Sequence, residues 1–218
     1  MSMIREFEAQ YQAELNFLKE KGMLVGEWSN VYDHCFTEGL VADVLATMLQ
    51  LSKEEHELLV KAALLHDWYK RNEREAANTL GAAQYDIKAH ESAKLLRDAG
   101  YPDIIVELTE SVGHTSLTSI LNSQIFLHRL MHYIDDITYG KKVVGLDERI
   151  SALESAERYK ELNESGRAIF GGKTYFEVQR EVGYSIEKEI SEKLQVSQSE
   201  VISLVQKNLS EVFGVTSL

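Results

Sequence analysis

The side chains able to do chemistry in this sequence are its histidines and the acids beside them. His66-Asp67 closes the apolar stretch Lys61-Ala-Ala-Leu-Leu65, and His66 extends the spacing Leu59, Ala62, Ala63 that marks one buried helix face. A histidine on such a face beside a carboxylate is costly to bury unless each is paired. A divalent cation pairs both, taking nitrogen from a neutral imidazole and oxygen from the aspartate. An ordinary His–Asp hydrogen bond is the alternative for the pair taken alone. His34 lies upstream, in line with Val41 and Leu45 on an inward helix face. His90 and His114 follow on later helical patterns, and Asp135 falls in Met131-His-Tyr-Ile-Asp-Asp-Ile137. A helix bundle can converge one or two such ligands per helix on a central site. The set His34, His66, Asp67, His90, His114 and Asp135 exceeds what one tetrahedral ion takes, which predicts two adjacent divalent ions.

Neighbouring residues sort around that set. Asp135 flanks the stripe Leu127, Leu130, Met131, Ile134 and Ile137, whereas Asp136 lies with Arg129 and His132 on the more polar side, so Asp135 is the expected ligand. His128 and His132 read as a solvated or hydrogen-bonded face, and His56 as a surface residue. Glu91 beside His90 orients a ligand, carries a proton or is simply solvated. Thr115 and Ser116 either hold a phosphate or cap the next helix. Cys35 reads as a small packed residue. The segment Gly166-Arg-Ala-Ile-Phe-Gly-Gly-Lys-Thr174 imitates a phosphate-binding loop but is one residue too long and follows a helical pattern instead of a strand. Arg167 and Lys173 on that loop are candidate contacts for an anionic substrate.

The elements that must position these residues are helical nearly throughout. The patterns run Ile4–Lys21 with Gly22 as cap, Trp28–Leu51, Ser52–Lys70 opened by a Ser52/Glu55 capping box, and Asp86–Ala99. Pro102 suits the first turn of the next helix, and Ser123–Tyr139, Leu146–Leu162, Tyr175–Leu194 and Glu200–Phe213 follow, the last opened by Ser197/Glu200. A single proline among 218 residues argues against a turn-rich all-β protein, and no strands are expected. The expected fold is all-α: residues 1–22 an N-terminal helix, 23–140 a helical core, and 141–218 a helical extension packed on that core. Asp and Glu outnumber Lys and Arg by 35 to 23, which excludes the basic surplus that non-specific nucleic-acid binding needs. The lone Cys35 cannot form an internal disulfide, the N-terminal stretch lacks an apolar signal region, and no apolar run approaches the roughly 18–20 residues of a membrane span. A cytoplasmic protein without membrane or nucleic-acid partners is expected, and a homodimer is compatible with the sequence.

The ordered set His34, His66-Asp67, His90, His114, Asp135 resembles the HD superfamily of metal-dependent phosphohydrolases over residues 28–140. Within it, His-Asp-Trp-Tyr-Lys70, His114-Thr-Ser116 and Tyr133-Ile-Asp-Asp-Ile137 are similar to the bacterial symmetrical diadenosine tetraphosphate hydrolases. The resemblance implies an HD-domain helical bundle, His90 and His114 as the additional ligands of the two-metal branch, and Asp67 and Lys70 as catalytic residues. Lys70 then contacts a substrate phosphate; otherwise it is a helix-end lysine facing the C-terminal dipole. Arg71 is a weaker substrate contact, and Arg71 and Arg74 read better as exposed helix charge. The expected activity is hydrolysis of a phosphate ester or anhydride of a nucleotide-like substrate, with Fe, Mn, Co, Ni or Mg as the ions. The same ligands resemble those of myo-inositol oxygenase and its di-iron relatives, which makes oxygenation the second expectation. A non-catalytic metal-binding or ligand-sensing module is the third.

Overall fold

The computed structural model describes residues 3–22, 29–70, 72, 83–112 and 116–214. Its order is α1 (Met3–Gln10), α2 (Gln12–Phe17), a π-helical turn Leu18–Gly22, α3 (Ser29–Met48), α4 (Lys53–Leu65), α5 (Ala83–Asp98), α6 (Asp103–Glu110), α7 (Leu117–Asn122) and α8 (Phe126–Ile137). A two-stranded antiparallel hairpin, β1 (Thr138–Tyr139) and β2 (Lys142–Val143), leads to α9 (Leu146–Glu154), a 3₁₀ turn Glu157–Tyr159, α10 (Lys160–Ile169), α11 (Tyr175–Leu194) and α12 (Val201–Phe213). The fold is all-α, with the short hairpin as the one departure among the described residues.

Local chemistry sets the boundaries. At α4, Ser52 Oγ accepts from the Glu55 amide at 3.2 Å while Glu55 Oε2 accepts from the Ser52 amide at 3.0 Å, so two orphan donors are satisfied reciprocally. Ser197/Glu200 forms the same box ahead of α12, and Thr174/Glu177 forms one at α11. The α-helical part of the Ser52 segment ends at Leu65, and His66–Tyr69 continue as tight turns. The helix expected over Ser123–Tyr139 is shorter at both ends, because Ser123–Ile125 are extended and Thr138 already pairs with Val143. The pattern Leu146–Leu162 is broken at Ser155–Ala156, and Pro102 is the N-cap of α6 instead of its first turn. Gly166 belongs to α10, not to a loop. A Cβ there would lie 2.2 Å from the Tyr175 amide nitrogen, so only glycine lets α10 and α11 approach this closely.

Helices α3 and α4 pack along each other and against α8, with α6 beside α4. One buried set runs from Phe7 and Leu45 through Leu64 and Ile134 to Phe176, Ile186, Val205 and Phe213, so the extension shares its apolar interior with the helices before it. The Phe7 ring meets Phe36 and Phe213 edge-on at 5.8 Å, which ties the N-terminal helix to the C-terminal one. Trp68, Tyr69, Leu96 and Ile105 form a smaller apolar group beneath the turn that carries His66.

Gly39 fixes the spacing of the two helices that carry the histidines. A Cβ on it would sit 2.6 Å from Leu64 Cδ2 and 3.2 Å from Phe7 Cζ, and Leu64 is fully buried with no room to swing. Gly39→Ala gains about 1 kcal/mol of helix propensity but overpacks the crossing by about 1–3 kcal/mol. A net loss of about 1 kcal/mol in urea unfolding is expected. A variant as stable as the parent would show that α3 and α4 have slack where they cross.

Candidate metal centre

Helix α3 presents His34 and, one turn later, Glu38, both toward α4 and α8. The turn after α4 presents His66, and the last turn of α8 presents Asp135. One ligand atom from each of His34, Glu38, His66 and Asp135 lies within 4.8 Å of all the others. His34 Nε2 donates to Asp135 Oδ1 at 3.2 Å and lies 3.0 Å from Glu38 Oε1. Glu38 Oε2 is 3.0 Å from His66 Nδ1, and the two imidazole rings meet edge to face with centroids 5.5 Å apart.

The protonation pattern suits a cation. His66 Nδ1 lies 2.9 Å from the Ala63 carbonyl and 3.0 Å from Glu38, so the tautomer that donates from Nδ1 leaves the Nε2 lone pair for a cation. That Nε2 is buried without a hydrogen-bond partner among the described residues. Glu38 is wholly buried, and neither of its oxygens receives an aligned hydrogen bond. Burial raises the Glu38 carboxyl above its ordinary range against the opposing pull of His66 and His34. A carboxylate in that position needs a compensating charge, and a divalent cation among His34, Glu38, His66 and Asp135 supplies one.

The other acids are held ionised. For Asp67, burial is overcome by Lys70 and His66, and its carboxyl is lowered to about 2. Lys70 Nζ donates to Asp67 Oδ1 at 3.0 Å, while Asp67 Oδ2 stands 3.8 Å from His66 Nε2 on the rim of the group. Asp135 is only partly exposed, and the desolvation that would raise its carboxyl is outweighed by the His34 hydrogen bond and by Arg149, whose Nη2 lies 3.6 Å from Oδ1, so it is held well below the usual carboxylate range. Burial disfavours the His34 imidazolium, but Glu38 and Asp135 outweigh it and push His34 up to about 10.

The structure thus brings together His34, His66 and Asp135, places Asp67 and Lys70 beside them, and leaves His90 apart. His90 is 83% exposed and 3.8 Å from Glu110, because α5 turns Ala93 and Leu96 inward and His90 outward with Lys94 and Arg97. His114, Thr115, Arg71 and Arg74 lie outside the described residues. Arg167 and Lys173 are also apart: Arg167 donates to Glu164 and to the Gly172 carbonyl, and Lys173 donates to Glu181, all exposed. Cys35 is buried, as a packed residue should be. Ser116 stands at the N-cap of α7, yet its hydroxyl donates to the Ser111 carbonyl.

Three corrections concern polarity. Asp136 is not on a polar face but buried under α11, where Gln179 Nε2 donates to it at 2.5 Å and burial raises its carboxyl to about 6. His132 is buried with it, donating from Nδ1 to the Ser111 carbonyl at 3.1 Å. His56 is half-buried, with Nε2 2.8 Å from Asp43. Glu38 is the member of the site that the sequence reading passed over. Its signal is a single acid embedded in the apolar run Cys35–Val41, one helical turn after His34.

Comparison with protein families, curated proteins and solved structures finds no match to this chain. The His34 proton gives a test. Its folded value of about 10 lies above the ordinary 6.5, so it contributes stability fully present below pH 6.5 and lost as pH rises through 10. Protein kept metal-free by a chelator should melt at falling temperature across that window, and His34→Asn should flatten the profile. A flat wild-type profile would contradict the pairing of His34 with Glu38 and Asp135.

Proposed function

We propose that this chain is a metal-dependent phosphohydrolase acting on a small phosphorylated substrate, a nucleotide or dinucleotide by preference. The observation that carries the reading is the convergence of His34, Glu38, His66 and Asp135 within 4.8 Å around the buried Glu38, with ligand atoms on Glu38 and His66 that no hydrogen bond among the described residues satisfies. The four described residues suit one ion; a second requires ligands beyond them. Nitrogen and carboxylate oxygen donors accept Fe, Mn, Co, Ni or Zn more readily than Mg, which prefers oxygen alone. When bound, such an ion supplies Lewis acidity and a water nucleophile at neutral pH.

The chain's own residues supply the rest. Glu38 and the Ala63 carbonyl favour the His66 tautomer protonated at Nδ1, which leaves Nε2 as the nitrogen that would bind an ion. Lys70 keeps Asp67 ionised at the rim, and Asp67 is the group placed to orient an attacking water. The Lys70 ammonium adds positive charge where a phosphoryl group would develop negative charge. The order of His34, His66-Asp67 and Asp135, which resembles the HD superfamily, supports phosphoryl chemistry over other metal-assisted hydrolyses. His90 has no part in this reading.

Metal analysis of natively purified protein should find one ion per chain, followed by metal-stimulated phosphate release in a screen of phosphomonoesters and dinucleotide polyphosphates. His66→Ala and Asp135→Asn should each cost at least tenfold in metal affinity and abolish turnover, while Glu38→Gln should weaken metal about 10–100-fold. His90→Ala should change neither. Two ions per chain would call for ligands beyond these four, with His114 the first candidate. Oxygen uptake with a polyol in place of phosphate release would make the protein an oxygenase, and turnover surviving both His66→Ala and Asp135→Asn would overturn the metal reading.

A further inference from the structure

Arg149 lies in the first turn of α9, beyond the helices that supply the ligands, yet its guanidinium reaches the centre. Nη2 stands 3.6 Å from Asp135 Oδ1, too long for a hydrogen bond, so the ion pair is loose. Nε is buried and has no hydrogen-bond partner among the described residues. The side chain is 14% exposed, with the guanidinium carbon 5.3 Å from the centroid of the Tyr139 ring, on the hairpin that joins α8 to α9. A buried N–H without an acceptor is costly, and such a group calls for an oxygen. The planar fork of arginine is the side chain best matched to a phosphate.

Charge gives an independent argument. Around the centre stand three carboxylates, Glu38, Asp67 and Asp135, and two basic side chains, Lys70 and Arg149. Once a bound ion has displaced the His34 proton and the imidazoles are neutral, these side chains leave one negative charge in excess. A divalent cation turns that into one positive charge beside a guanidinium, in a site largely removed from water. An anion that touches both the ion and the arginine neutralises the excess and removes their mutual repulsion.

We propose that Arg149 is a substrate-positioning residue of the metal centre: its Nε–H and one Nη–H receive a phosphoryl oxygen of the substrate, so that the extension after residue 140 completes a site whose metal ligands all precede it. The inference rests on the metal reading above and goes beyond it by assigning the anion contact. It also gives α9 a functional role, because the hairpin and the Tyr139 ring set the direction of the guanidinium.

The test uses the full chain loaded with Mn²⁺, with metal content measured for every sample and inorganic phosphate titrated calorimetrically. Phosphate should bind the loaded wild type. Arg149→Gln should weaken it about tenfold or more at unchanged metal stoichiometry, and Arg149→Lys, which keeps the charge but not the fork, should recover part of the loss. A purely structural arginine would leave phosphate affinity untouched in correctly folded variants, and that result overturns the inference while the metal reading stands. Acetate binding through Arg149 in place of phosphate overturns the phosphoryl assignment. If the wild type takes up no metal, the metal reading fails separately. In that case Arg149 keeps its role only if metal-free protein binds phosphate and Arg149→Gln abolishes it; absence of phosphate binding overturns it.

Discussion

Everything at the centre of this molecule depends on the burial of one carboxylate. Glu38 lies at the crossing of α3 and α4 with none of its surface exposed, wedged between two imidazoles at 3.0 Å on either side. A lone buried carboxylate costs several kcal/mol, so its neighbours must either share a proton with it or hold a cation against it. In the metal-free arrangement His34 does the former, carrying its proton between Glu38 and Asp135. A divalent ion does the latter, and the lone pair already presented by His66 Nε2 is what distinguishes a prepared ligand set from an ordinary buried ion pair.

The scaffold can be read as the means of holding that carboxylate in place. Gly39, next in sequence, removes the side chain that would separate α3 from α4. The capping box at Ser52 starts α4 so that His66 emerges at its far end, and the apolar group of Trp68, Tyr69 and Leu96 supports the turn on which His66 and Asp67 sit. Helix α8 carries two adjacent acids to opposite duties. Asp135 faces His34, whereas Asp136 is locked by Gln179 from α11. The extension therefore braces the helix that supplies Asp135 and brings Arg149 to the same carboxylate from the other side.

Much of this was legible from residue order, and the exceptions have physical reasons. The helix Tyr175–Leu194 matches its pattern to the residue, because a Thr174/Glu177 box and a left-handed residue at Gln195 mark both ends. Asp135 was separable from Asp136 because the apolar stripe of α8 is unusually clear. Asp136 and His132 were misread for a tertiary reason: periodicity reports the polarity of a helix face but not the later helix that covers it. His90 stands apart from the described cluster because its helix turns Ala93 and Leu96 inward, a direction that its weak apolar stripe does not mark. Glu38 is one of 35 acidic residues, and only its place inside an apolar run sets it apart. Arg149 carries no sequence signal at all, since its proximity to Asp135 arises from a two-residue hairpin that helical patterning cannot anticipate.

Whether His34, Glu38, His66 and Asp135 together hold a metal ion is decided by anomalous scattering from crystals of the metal-loaded protein. A peak is expected at about 2.0–2.3 Å from one atom of each of the four residues. A peak at another place, such as the exposed His90–Glu110 pair, or saturating metal with no peak among these four side chains, would contradict a shared site.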